Sequence, residues 1–248
     1  MSREMLNEKT FAEQPTPFGT AGVATRPDVM TVNGTVTRAF ALLVVAMGFA
    51  VVGWNNALDI LSTGSGVVLI GMIGLIALSI VTAKNPRIAV FTGPIYAVVM
   101  GLWAGAISAL YDLQYPGIVM QAMFATFAVF LACLVLYVTR IVKVTNRFVF
   151  VVGVATLGIA LTYVAAIVLG LFGIELTFLY DASPLGIAIS VGICIIAALN
   201  LFLDFRFVEE GATKGAPAHM QWYGALALMS TLIWLYLEIL RLLGRVRS

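Results

Sequence analysis

The sequence predicts an all-α integral membrane protein with seven transmembrane helices. Three observations carry this. The chain has 248 residues, 61% hydrophobic and 10% charged, where a soluble domain is nearer half apolar and a quarter charged. It contains seven apolar segments close to the roughly 20 residues that cross a bilayer core as a helix. The loops between them alternate in charge. This composition excludes a soluble enzyme, a nucleic-acid binder and a disordered protein. Alternating strands of about ten residues are absent, which excludes a membrane β-barrel.

Residues 1–30 form the first region. They are rich in Pro, Gly, Thr and charge, with no apolar stretch, and read as a disordered tail rather than a signal peptide or a span. The spans follow at 33–54, 66–83, 89–111, 117–139, 148–172, 185–208 and 220–243. The breaks carry turn or charge signals, such as Asn85-Pro86-Arg87, Tyr115-Pro116-Gly117 and Ser183-Pro184. Pro184 suits the first turn of a helix.

Charge supplies the orientation. Arg3, Lys9, Arg26 and Arg38 lie in the tail or at the first helix edge. Lys84 and Arg87 lie in the second loop, Arg140, Lys143 and Arg147 in the fourth, and Arg206 and Lys214 in the sixth region. The first, third and fifth loops carry only acids, namely Asp59, Asp112, Glu175 and Asp181. By the positive-inside rule the N-terminus is cytoplasmic. Full spanning by the last segment places Arg245 and Arg247 outside, against that rule. A re-entrant last helix is the alternative, and the sequence leaves both open.

Few residues carry chemistry. Cys133 and Cys194 sit inside apolar runs and read as small buried hydrophobes. One histidine and no Cys/His cluster leave no tight metal site. No span holds a lysine, and no metalloprotease, phosphate-loop or nucleophile-elbow motif is present. The expectation is a non-enzyme without a cofactor.

An ionisable residue within a span is a functional candidate. Asp204 lies about 6 Å inside the end of the sixth segment, at 1.5 Å per residue. Its neighbours at helical spacing, Asn200, Leu201, Phe207 and Val208, supply no base. Arg206 faces elsewhere and has Glu209 and Glu210 as partners. Asp204 must therefore find a counter-charge on another helix, contact water, bind a cation or take a proton. By depth, Asn200 (about 12 Å in) and Thr231 (about 16 Å in) form a polar track with it. Glu238 lies about 27 Å along the last helix, too deep for Asp204 if that helix spans fully. It precedes Arg241 by three residues, so a local ion pair is available. His219, where the last helix begins, is a pH-sensing candidate, because histidine changes charge near neutrality. Gly101 and Gly105, with Gly93 and Ala97 before them, form a small-residue face suited to close helix packing. Trp54, Trp103, Trp222 and Trp234 lie mostly toward span ends, as an aromatic belt does.

Several stretches resemble the Bax inhibitor-1, or transmembrane Bax inhibitor motif, family. Gly93-Pro94-Ile95-Tyr96 with Gly101, Gly105 and Ser108-Ala109-Leu110-Tyr111 resembles its third helix. Gly117-Ile118-Val119-Met120-Gln121-Ala122 with Thr126 and Phe130 resembles its fourth. Phe202-Leu203-Asp204-Phe205 with Glu209-Glu210 resembles the end of its sixth. The closing Trp234-Leu235-Tyr236-Leu237-Glu238-Ile239-Leu240-Arg241 and the N-terminal extension are most similar to the bacterial branch. The resemblance implies six helices around a central seventh, and a bacterial inner-membrane location. It also implies a pH-sensitive calcium leak, with an aspartate on each of the last two helices as sensor. Asp204 matches the first aspartate. With Arg241 matched to the family's late arginine, the second position falls on Thr231, so the paired sensor is incomplete here.

Three functions follow as expectations. The first is a pH-dependent cation leak, with Asp204 as protonatable gate and calcium bound weakly. The second is a non-conducting regulator that contacts membrane-protein partners, or their proteolysis, through the tail and Glu209-Glu210. The third is a small-solute transporter, for which no internal repeat is visible. The expected surroundings are a lipid bilayer and calcium or protons, without nucleic acid.

Overall fold

A computed structural model describes residues 29–62, 65–173 and 183–248. The described residues are helical apart from short connections, and one isolated bridge joins Val29 to Pro217. The helices are α1 (Val32–Asn55), α2 (Ala57–Ser62), α3 (Ser65–Lys84), α4 (Ala89–Gln114), α5 (Ile118–Val138), α6 (Asn146–Leu171), α7 (Pro184–Thr213) and α8 (Met220–Arg247). A single 3-10 turn, Pro86–Ile88, leads into α4.

Local chemistry sets the starts. Thr31, Thr145 and Ser183 cap α1, α6 and α7 by accepting the backbone N–H of Gly34 (3.0 Å), Phe148 (3.2 Å) and Gly186 (3.2 Å). Gly117 precedes α5 at φ 80°, a left-handed turn that glycine adopts without strain.

Among the described residues, six helices are long and apolar enough to cross a membrane: α1, the Pro86–Gln114 stretch, α5, α6, α7 and α8. The expected second span falls on α3, where Ile73–Lys84 forms a shorter apolar stretch. Among the described residues, six of the expected seven thus meet the length and composition of a span. The expected tail, 1–30, lies outside the described residues except for its end. Val29 and Met30 are held in the fold there, and Met30 is buried.

α8 is the central helix. It packs against α1, α4, α5 and α7, and it is buried on several sides, through Ala225, Met229, Leu235 and Leu240. α6 packs on α7 and reaches α8 through Tyr163, and α3 packs on α4. The arrangement is thus four direct neighbours, with α3 and α6 in an outer position. A helix enclosed by protein can carry polar groups that lipid would not accept, and α8 buries Gln221, Glu238 and Arg245. Lipid-facing positions elsewhere are bare and apolar, such as Phe91, Phe124 and Phe150.

The closest helix pair is α1 with α4. A Cβ at Gly101 would fall on the Ala46 carbonyl, one at Gly105 on the Ala50 carbonyl, and one at Gly53 on the Leu102 carbonyl. The small-residue face of α4 is therefore an internal seam in which two backbones touch.

One end of the bundle, the near end, holds the start of α1, the α5–α6 connection, the end of α7 and the start of α8. The far end holds the end of α1, the starts of α5 and α7, and the end of α8. α8 connects the two without a break. Its final turn meets far-end elements. Arg245 Nη1 donates to the Gly186 carbonyl (2.7 Å) and Ser190 Oγ (2.5 Å) at the start of α7, and Arg247 donates to Gln121 Oε1 (2.8 Å) in α5. The last helix traverses the bundle and does not turn back.

Candidate functional site

The candidate site lies in the α7–α8 seam. Asp204 of α7 lies beside Thr231 of α8, whose hydroxyl bears on the carboxyl. The second carboxyl oxygen, Oδ2, is buried with no hydrogen-bond partner. Asp204 as a whole is half-buried, with Oδ2 enclosed. A buried polar atom without a partner is costly. Taking up a proton or a cation would satisfy it.

Asn200 does not join this pair. Its amide donates to Thr156 Oγ1 of α6 (2.7 Å) and to the Ile196 carbonyl one turn back (2.8 Å). Of the three residues grouped by depth, Asp204 and Thr231 lie side by side, and Asn200 bonds toward α6. Depth along two helices does not say which neighbour each side chain faces, and α6 offers Asn200 an acceptor.

Glu238 belongs to a separate cluster. It is 2% exposed. Its carboxylate accepts from Tyr163 Oη of α6 (2.7 Å), Trp234 Nε1 (3.0 Å) and Arg241 Nη1 (3.0 and 3.2 Å). Arg241 also donates to Tyr163 and stacks over its ring. This carboxylate is neutralised and saturated, whereas that of Asp204 is neither. Glu238 follows Thr231 by seven residues, about 10 Å along α8. Sequence reasoning found the Arg241 partner and missed Tyr163, for which no local signal existed. Trp234, one turn before Glu238, was legible at helical spacing.

The near end is tied by charge. Glu209 pairs with Arg140 and accepts from Tyr137. Glu210 pairs with Arg206 and with Lys214 (2.6 Å). Arg206 further donates to the Val144 carbonyl (2.9 Å) and Asn146 Oδ1 (2.8 Å). It thus points to the α5–α6 connection and not at Asp204. The expected Arg206–Glu209 contact is replaced by Arg140–Glu209, and both acids lie in the last turns of α7 rather than in a loop. Glu209 beside Arg140 pushes that guanidinium above its ordinary value.

Arg38 of α1 donates to the Gly34 carbonyl (2.9 Å) and to Gln221, and stacks on Trp222. His219 occupies the N-cap position of α8 without a side-chain capping bond. Both cysteines are free thiols. Among the described residues, no group of three or more His, Cys, Asp or Glu is arranged to hold a metal. A cavity of about 360 Å³ at the far end is lined by Asn55, Asn56, Asp59 and Asp112, among others.

These features define a class: a polytopic helical membrane protein with a central last helix and one uncompensated carboxyl in the seam beside it. The family model described as Bax inhibitor 1 like matches residues 2–248, and the chain belongs to that family. No curated protein and no solved structure matches it.

Proposed function

We propose that this protein is a pH-sensitive cation leak, with calcium the principal ion and Asp204 the protonatable gate. The observation that carries this is the Asp204 carboxyl. It is enclosed beside Thr231 with one oxygen unsatisfied. No charged side chain among the described residues bears on it. Arg206, Glu209 and Glu210 are engaged with one another, Arg140 and Lys214, and Arg38 lies against Trp222. Protonated, the carboxyl is neutral and closes the seam with a hydrogen bond to Thr231. Ionised, it needs a cation. Calcium prefers several oxygen ligands. One carboxylate and one hydroxyl make a sparse set, which suits a hydrated passing ion rather than a resident one.

The near end is read as cytoplasmic. Arg140, Lys143, Arg147, Arg206 and Lys214 collect there, against Arg245 and Arg247 at the far end, of which Arg245 is held within the fold. In this reading the protein acts without catalysis, in a bacterial inner membrane.

The test is calcium entry into vesicles holding purified protein, between about pH 5.5 and 8, the range in which biological pH switches act. Wild type should show flux that changes with pH, and Asp204→Asn should lose that dependence while remaining folded. A pH response left intact in the variant refutes the gate. No flux above empty vesicles at any pH refutes the leak and supports the non-conducting regulator.

A further inference from the structure

At the near end of the α7–α8 seam a side chain from outside both helices packs against them, beyond the buried Val208 and Leu228. On α7, Asp204, Val208 and Gly211 follow one another at helical spacing on one face. On α8, Thr231, Leu228 and Gly224 do the same. The Met30 side chain lies where the two glycines meet. A Cβ at Gly211 would sit 2.6 Å from the Met30 sulfur, and one at Gly224 would meet Thr35 Cγ2 (3.1 Å), Val208 Cγ2 (3.3 Å) and the Met30 methyl (3.4 Å). The absence of a side chain at Gly211 makes the slot that the Met30 thioether occupies, and Met30 is 1% exposed there.

The segment is tied down by main-chain bonds. Met30 N donates to the Ala216 carbonyl (2.6 Å), Gln221 Nε2 donates to the Val29 carbonyl (3.1 Å), and Val29 bridges to Pro217. These ties reach the α7–α8 connection, so the chain entering α1 is latched onto the two helices that form the seam. From either glycine, seven residues lead to Asp204 or Thr231, about 10 Å deeper.

We infer that Met30 is a cytoplasmic plug that keeps water and ions from the Asp204–Thr231 pair, and that release of the Val29–Met30 latch opens the seam. An unbranched thioether fills an irregular slot and can leave it by rotation about its own bonds. An apolar constriction of this kind gates by dewetting. The ion-flux consequence rests on the proposed leak, but the exclusion of water does not.

The test is therefore an access measurement in the full chain. Leu228→Cys, between the plug and Thr231, is introduced with Cys133→Ala and Cys194→Ala, and its rate of reaction with a small water-soluble thiol reagent is read. With Met30 present the rate should be slow. Met30→Ala and Met30→Asn should each raise it at least tenfold, and Met30→Leu, which refills the slot, should leave it slow. If either opening variant elutes as folded protein and labels at the wild-type rate, the plug is refuted, whatever the flux assay gives. If labelling accelerates but no variant passes calcium, the plug stands and the leak fails.

Discussion

Asp204 and Glu238 are the same functional group in two settings, and the neighbours decide what each does. Glu238 has a base three residues on, an indole one turn back and a phenol from α6. Its charge is spent on holding α6 to the central helix. Replacing it by Leu would leave Trp234 Nε1 without its acceptor and Arg241 with only Tyr163. Removing one partner of a fully buried pair costs about 3–5 kcal/mol. Because Arg241 is 32% exposed and the pair is not fully buried, the expected loss is on the order of 2 kcal/mol, nearer that of a charged hydrogen bond. Thermal unfolding of Glu238→Leu checks this, and an unchanged Tm contradicts it. In an Arg241→Leu background the same change should cost less, which a double-mutant cycle reads as coupling. The Glu238–Arg241 contact was legible in the sequence, because residues three apart on a helix share a face. Which residue faced Asp204 was not. Asn200 and Thr231 had equal claims by depth, and only the facing of α6 and α8 separated them.

At the scale of elements, the α4 glycines make the sharpest prediction. Gly105→Val puts a side chain into the Ala50 carbonyl of α1, where neither backbone can yield without separating the pair. Overpacking of this kind costs about 1–3 kcal/mol. A fall in Tm, with loss of monodisperse protein on size exclusion, is expected. Gly48→Ala and Gly153→Ala, where a Cβ meets open space, should leave Tm unchanged or raised, since Ala is the better helix former. Equal effects at all three positions would mean that the seam is not what the glycines serve. The spacing of Gly101 and Gly105 announced a close approach, but not its partner helix. Helix ends were less legible. The apolar run of α7 stops near Val208, yet the helix continues to Thr213. Charged residues end burial without ending backbone hydrogen bonding. The chain turns only at Gly215, where φ is 66°.

At the scale of the whole molecule, the course of α8 decides topology. Twenty-eight residues at 1.5 Å each span about 42 Å, enough to cross the bilayer from the near end to the far end. A membrane-impermeant thiol reagent should reach Lys214→Cys and Ser248→Cys from opposite sides of the membrane. Labelling of both from one side would restore the re-entrant helix. The sequence argument against crossing was the pair Arg245 and Arg247. Arg245 is buried against Gly186 and Ser190, so that charge is absorbed by protein, while Arg247 stays exposed beside Gln121.

By itself the sequence determined that this is a helical membrane protein, where its apolar segments lie, which loops are basic, and that Glu238 has a neighbour in Arg241. Each of these is local, written in composition, in the 3.6-residue period or in a spacing of three or four residues. Tertiary structure decided that α8 is enclosed by four helices, that Thr231 lies beside Asp204 while Asn200 bonds toward α6, that Tyr163 holds Glu238, and that Met30 packs against Gly211. Those contacts join residues far apart in the chain. They depend on which small residues let which backbones touch, and lipid-facing and protein-facing stripes of such apolar helices look alike until the helices pack.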